Sequence, residues 1–389
     1  MPDEQRVVVV GAGLSGLAAA SALHHAGVDV AVFERADEMR PVGAIIGVAA
    51  NAARGLERIG LGDIVEQACI PVQRLDYLNW RGRRLTHMPI QEVARELGTR
   101  TFIALRADVQ LGMYEALPDG VVRLGSEFVG FEQDDAGVTA RFADGREERA
   151  AVLIGADGIQ SAARQQLLGD EPRYSGYSGW RGVAPMDPQP LEPGLAKQVL
   201  GRGKTFGAFG LTKGRVYWWA SARMDSGLGD SPAGRKNDVR ESFRGAPELV
   251  QTIVDATPED AILRNDIYDR PPVERWGEGR VTLIGDAGHA ATPNTGEGGS
   301  QALLDGVVLA ESLAGSPLED RAAVDAALRT FEAEAIPRTA DVVNRAKEIG
   351  TFIHLQNPAA ALMRDLVFYR ATPQRIWRKR AAVYLEAAR

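Results

Sequence analysis

Residues 7–34, VVVVGAGLSGLAAASALHHAGVDVAVFE, constrain the fold more than any other part of the chain. A β-branched run predicts a buried strand, and Leu17, Ala20 and Leu23 recur at helical spacing behind a G-x-G-x-x-G turn at Gly11, Gly13 and Gly16. The three glycines are needed for different physical reasons. Gly11 permits the tight turn, Gly13 lets the backbone approach a pyrophosphate, and Gly16 lets helix and strand pack closely. The helix opens at Leu14 and Ser15, whose end of the macrodipole favours phosphate. A second apolar run, Val28 to Phe33, ends in Glu34, placed to accept hydrogen bonds from ribose hydroxyls, with Arg35 beside it as a further cofactor contact. The motif predicts a dinucleotide site without separating NAD from FAD. Residues 7–28 carry no Asp, Glu, Lys or Arg and superficially suit a signal peptide or membrane span, but the glycines and paired histidines divide them into strand, turn and helix. No membrane contact is expected.

The length of 389 residues suffices for two or three cores. With 45% hydrophobic and 25% charged residues, the composition is that of a soluble globular protein. A formal net charge of -7 disfavours nucleic acid as a partner. Cys69, the single cysteine, excludes internal disulfides, a cysteine zinc cluster and a redox dithiol, so a cytoplasmic setting and no metal are expected.

No second G-x-G-x-x-G follows Gly16 in a strand-to-helix context, which argues against two dinucleotide folds. A different theme recurs. AAVLIGADGIQSAARQQLLG (150–169) and GRVTLIGDAGHAATPNTGEGG (279–299) each carry an apolar run that delivers an acid, Asp157 or Asp286, at its carboxyl end. Ligands of open α/β sheets bind at that edge. Asp286, following Gly285, suits a hydrogen bond from a cofactor hydroxyl, and Gly288, Gly296, Gly298 and Gly299 keep the backbone accessible ahead of a helix N-terminus.

Together the three motifs resemble those of the class A flavoprotein aromatic monooxygenases, the p-hydroxybenzoate hydroxylase-like family that includes salicylate, 3-hydroxybenzoate and urate hydroxylases and zeaxanthin epoxidase. Order and spacing agree across nearly the whole chain. The resemblance implies FAD as the bound cofactor, with Glu34 on its ribose, Asp286 on the ribityl chain and Asp157 serving both FAD and the passage of NAD(P)H. It also implies that Arg106, in FIALRADVQLGMYEAL, contacts the flavin side and that Pro293 lies over the ring beside the site of oxygen reaction. Gly296, Gly298 and Gly299 would present N–H groups to its pyrimidine end. Pro293, Gly298 and Gly299 are therefore the candidate catalytic positions. Two positions depart from the family pattern: Glu297 stands where Gln is usual, and Asp305 stands one residue later than the usual acid.

The expected architecture is α/β: a discontinuous Rossmann-like FAD-binding domain (1–73, 101–171 and 276–345), an inserted β-sheet substrate domain (74–100 and 172–275) and C-terminal helices (346–389). In the inserted sheet, RLDYLNWRGRRL and GRVYWWASARM alternate like strands, with hairpin glycines at Gly82 and Gly214. One face of the second strand carries Tyr217, Trp219, Ser221 and Arg223. With Arg181 of YSGWRGVAP, the candidate substrate residues are Arg181, Tyr217, Trp219 and Arg223. His289 reads as structural, and RIWRKR (375–380) as a solvated helix face, with a membrane or acidic-partner patch as the alternative.

By this resemblance the expected reaction is hydroxylation of an anionic or phenolic aromatic by NAD(P)H and O2 through a flavin C4a-hydroperoxide, in a single-component enzyme. The partners are thus the aromatic substrate, O2 and NAD(P)H, with the chain a monomer or homodimer. An epoxidase or oxygenase acting on a larger polycyclic or terpenoid molecule is the competing enzyme, and a flavin-binding protein without turnover the competing non-enzyme.

Overall fold

A computed structural model describes residues 5–39 and 44–386. Its first layer is a parallel sheet of five strands in the order 281–283, 152–155, 7–10, 30–33, 122–123. Val7 to Val10 occupy the centre and are fully buried, as a parallel strand covered on both faces must be. Val7 and Val9 face the helices, while Val8 and Val10 face an antiparallel sheet formed by Phe128–Gln133, Val138–Phe142 and Glu147–Ala150.

Two helices lie together on the helical face, Leu14–His25 and Gly298–Leu313. A methyl group at Gly306 would lie 2.4 Å from the backbone nitrogen of Ala19, so these helices touch main chain to main chain. That closeness brings two glycine-rich N-termini, far apart in sequence, to the same carboxyl edge of the sheet.

The other large layer is a seven-stranded mixed sheet joining strands from 74–88 to strands from 173–269. Alternation divides the strand Arg215–Arg223: Val216, Trp218 and Ala220 join a core with the helices Arg235–Ser242 and Glu248–Ala256. Tyr217 and Trp219 face the opposite way, toward a small sheet of Ile45–Val48, Phe102–Leu105 and Cys69–Pro71. Gly82 and Gly214 have φ of 76° and 62° at their hairpin turns, a left-handed conformation that glycine adopts without strain. A single helix, Arg321–Ile353, runs through residue 346 and ties the layers together before shorter C-terminal helices. Among the described residues no helix is long and apolar enough to cross a membrane.

Candidate active site

The first turn is built as its glycines require. Gly11 has φ 104°, and a Cβ there would lie 2.3 Å from the Ala156 carbonyl oxygen; a Cβ on Gly16 would lie 1.9 Å from the Gly11 carbonyl. These two positions serve the protein's own packing. Gly13 differs, because among the described residues the one atom within 4 Å of its missing Cβ is Arg106 Nη2 at 3.9 Å. The middle glycine therefore borders open space with a guanidinium across it. The helix behind it has no side-chain cap and no acid in its first turn, so the N–H groups of Leu14 and Ser15 keep their pull on an anion.

Glu34 is held in place by the turn it serves: Ala12 N–H donates to Oε2 at 2.7 Å and Ala36 N–H to Oε1 at 2.9 Å. Each carboxylate oxygen keeps a lone pair for a hydroxyl donor. Arg35 is exposed beside it. Gln110, a residue the sequence did not single out, donates to the Ala12 carbonyl at 2.7 Å and braces the same turn one helical turn beyond Arg106. Arg106 Nε is buried without a hydrogen-bond partner. A guanidinium that turns Nη2 toward the Gly13 opening and leaves Nε unpaired fits a bound polar group.

Asp157 sits against the turn through its backbone, its Cα 3.1 Å from the missing Gly11 Cβ. Its carboxylate is engaged locally, accepting from Ser161 Oγ at 2.5 Å and from the N–H groups of Ala162 and Ala163 at the start of the helix Ala162–Leu168. Burial pushes its carboxyl above the ordinary range despite those bonds.

Asp286 is the one exposed residue in the otherwise buried run 281–290. Gly285, with φ 59° and a missing Cβ 2.4 Å from Ser15 Oγ, turns the chain sharply enough to project that carboxylate. The turn is pinned from behind by Asp305, which accepts from Gly285 N–H at 3.0 Å and also contacts His289 Nε2 and Arg338. Burial opposes charge on Asp305, but these partners outweigh it and hold its carboxyl below the ordinary range. The displaced acid noted in the sequence thus supports the turn, and His289 is structural.

The loop 290–299 closes the site. Gly296 and Gly298 have no described atom within 4 Å of their missing Cβ atoms, whereas a Cβ on Gly299 would strike Ile46 at 2.8 Å. Ser300 donates to the Gly47 carbonyl and accepts from Ala49 N–H, both at 2.8 Å, tying the loop to the strand Ile45–Val48. Beside Pro293, Asn294 Nδ2 donates to Tyr177 Oη at 2.7 Å. Tyr177 stacks on His354 with ring centroids 4.1 Å apart. This contact between sheet, loop and long helix gave no signal in the sequence.

In the seven-stranded sheet, Arg181 pairs with Trp219 and Val183 with Tyr217 across neighbouring strands. Tyr217 and Trp219 stack 6.2 Å apart, and Trp219 lies flat on Gly207, where a Cβ would be 2.0 Å from the indole. Burial pushes the Tyr217 hydroxyl to about 12, against the pull of Arg181. Arg181 Nε is buried without a partner, and burial, with the Arg106 charge added, lowers its pKa. The same strand face continues through Ser221, bonded to His354, to Arg223, which is exposed. Arg181, Tyr217 and Trp219 therefore cluster, and Arg223 lies at the rim.

Comparison with known proteins agrees with this fold. The model of the FAD binding domain family matches residues 4–346. The chain is 35% identical over 371 residues to an aurachin C monooxygenase/isomerase of Stigmatella aurantiaca, covering 95% of both. It is 34% identical over 347 residues to an FAD-dependent urate hydroxylase of Klebsiella pneumoniae, covering 88% of this chain and 89% of that one. A crystal structure of Klebsiella pneumoniae HpxO complexed with FAD and uric acid superposes with a TM-score of 0.90 at 30% identity, covering 98% of this chain and 97% of that one. The chain belongs to the FAD binding domain family, within the p-hydroxybenzoate hydroxylase-like aromatic monooxygenases, and is an oxidoreductase.

Proposed function

We propose that the chain is a single-component monooxygenase that uses FAD, NAD(P)H and O2 to hydroxylate an anionic or phenolic aromatic molecule. The observation that carries the substrate class is Arg181: its Nε is buried without a hydrogen-bond partner, it forms no ion pair among the described residues, and it stands beside the Tyr217–Trp219 wall. A half-buried guanidinium without a counter-charge is costly, and a flat anion stacked on that wall supplies the charge.

When bound, FAD takes electrons from NAD(P)H and activates O2 for transfer of one oxygen atom to the ring. The chain's own residues would do the rest. Gly13 and the N–H groups of Leu14 and Ser15 would receive the pyrophosphate, Glu34 the ribose hydroxyls and Asp286 the ribityl hydroxyls. Arg106 would contact the flavin side, and Asp157 would lie beside the path of NAD(P)H. Pro293 would cover the ring, while Gly296, Gly298 and Gly299 would offer main-chain N–H groups to charge developing at its pyrimidine end. Tyr217 and Trp219 would exclude water and hold the substrate plane, and Arg181 would fix its anionic group.

A second reading, oxygenation of a larger polycyclic or terpenoid molecule, draws on the breadth of the wall, where Phe209, Trp219 and Tyr217 follow one another at centroid spacings of 5.8 and 6.2 Å. A panel of aromatic acids, phenols and polycyclic compounds, scored by stimulated NAD(P)H oxidation and by product formed, separates the readings. A hydroxylase gives about one product per nicotinamide with a small aromatic. Acceleration only by polycyclic compounds favours the second reading, and no acceleration by any compound indicates flavin binding without turnover.

A further inference from the structure

Among the described residues, seven of the nine exposed large hydrophobic side chains lie between positions 349 and 376: Ile349, Leu362, Met363, Leu366, Val367, Phe368 and Ile376. They form a patch rather than a scatter. Leu362, Met363, Leu366 and Val367 follow the i, i+1, i+4, i+5 spacing of one helical face across Pro358–Met363 and Arg364–Arg370. The opposite side of these turns is firmly seated, with Ala361, Arg364 and Tyr369 buried and Tyr369 stacked on Trp377 at 5.4 Å. The outward side is thus apolar on a well-packed element, with Leu362 59% and Val367 54% exposed. An apolar face of this size on a folded surface marks an interaction site.

The charges around it indicate the partner. Residues 358–380 hold six Arg or Lys and one acid, Asp365, in a chain whose net charge is -7; of the six, Arg364 is buried and Arg378 is paired with Glu92 and Glu96. Asp365 is paired with Arg364 at 2.8 Å. Arg370, Arg375, Lys379 and Arg380 are exposed. A basin of about 820 Å³ adjoins the ridge at Leu362 and adds Arg81, Arg202, Lys204 and Arg244 to its lining. None of these residues belongs to the candidate active site. A second copy of the chain meeting this face symmetrically would bring the two cationic rims together, which disfavours it. An anionic surface that also accepts aliphatic side chains matches both halves of the pattern.

We propose that the face formed by residues 362–380 docks on an anionic lipid bilayer, with Leu362, Met363, Leu366, Val367 and Phe368 entering the interface and Arg370, Arg375, Lys379 and Arg380 meeting the headgroups. The chain lies on the membrane and does not span it. Each basic residue near such a surface is worth about a fivefold change in partitioning.

The proposal is tested by co-sedimentation of the flavin-loaded protein with vesicles of phosphatidylglycerol and phosphatidylcholine, or of phosphatidylcholine alone, at low and high salt. Binding is expected only to the anionic vesicles, weakening as salt rises. It should fall at least tenfold in the triple variant L366Q/V367Q/F368Q and in the double variant R370E/R375E. Unchanged flavin absorbance and circular dichroism in both variants establish that the fold is intact. No sedimentation of the wild type with anionic vesicles overturns the proposal. So does a wild-type dimer in analytical ultracentrifugation that the triple variant converts to monomer while vesicle binding stays absent, since the face would then cover a second copy.

Discussion

Arg345 Nη2 lies 3.1 Å from each carboxylate oxygen of Glu297, a partly buried contact between the long helix and the residue that caps the helix Gly298–Leu313. Burial raises the Glu297 carboxyl above the ordinary range, with Arg345 pulling the other way. An acid at a helix N-terminus competes with any ligand negative charge that the same N-terminus would stabilise, and Arg345 offsets it. The departure from Gln at position 297 is thus matched by a cation 48 residues away.

Glu297→Gln should therefore raise the two-electron midpoint potential of the bound flavin. A unit charge acting over roughly 10 Å at an effective dielectric constant of about 20 is worth about 1.7 kcal/mol, or about 35 mV for a two-electron couple. Spectroelectrochemical titration of wild type and variant measures the shift. A lower potential in E297Q would remove this pair from the flavin environment.

Asp286→Ala should purify with at least tenfold less FAD than wild type, because the exposed carboxylate is the side chain that the buried turn projects. Flavin released by heat and measured by fluorescence gives the ratio. Equal FAD content would end the assignment.

Arg181→Leu should weaken an anionic aromatic substrate by about tenfold or more, about 1.4 kcal/mol, and a neutral analogue of the same shape far less. The exposed Arg223, replaced by Leu, should change both only slightly. Flavin absorbance titrations on the four combinations give the affinities. An equal loss of both ligands in R181L would make Arg181 a packing residue.

Gly207→Val should displace Trp219, since even a Cβ would lie 2.0 Å from the indole. Overpacking of this kind costs about 1–3 kcal/mol. The predicted outcome is a lower Tm with reduced substrate affinity and retained FAD. Unchanged tryptophan fluorescence and affinity would show that Trp219 does not form the wall.

His354 predicts the acid limb of stability. Its Nδ1–H donates to the Gly350 carbonyl and its Nε2 accepts from the Ser221 hydroxyl, both at 2.8 Å, so the buried ring is neutral. Burial lowers its pKa to about 4. Because the unfolded chain binds the proton more readily, with a pKa of about 6.5, this contribution is whole above pH 6.5 and is lost as pH falls toward 4. The full loss is about 3 kcal/mol. Urea unfolding between pH 7.5 and 4.5 should show a drop that His354→Gln flattens; equal slopes would refute it.

The strand, glycine turn and helix of residues 7–34 were legible because their determinants are local. Gly11 takes a φ of 104° that the turn requires, Gly16 answers to a clash with the Gly11 carbonyl five residues before it, and Glu34 bonds back to Ala12 only 22 residues away. Asp286 was legible for the same reason: an apolar run followed by Gly285 dictates where the acid emerges. Periodicity also placed Tyr217 and Trp219 on one face, since a strand can point them no other way.

Tertiary structure decided what meets those local pieces. Arg345 on Glu297, His354 on Tyr177 and Ser221, and Ser300 on Gly47 join segments 48 to 253 residues apart. Nothing in local periodicity encodes such pairings, which follow from sheet register and from how closely Gly306 lets two helices approach. Burial likewise separated Arg181 from Arg223, two arginines of equal standing in the sequence, by leaving one enclosed beside the wall and the other in solvent.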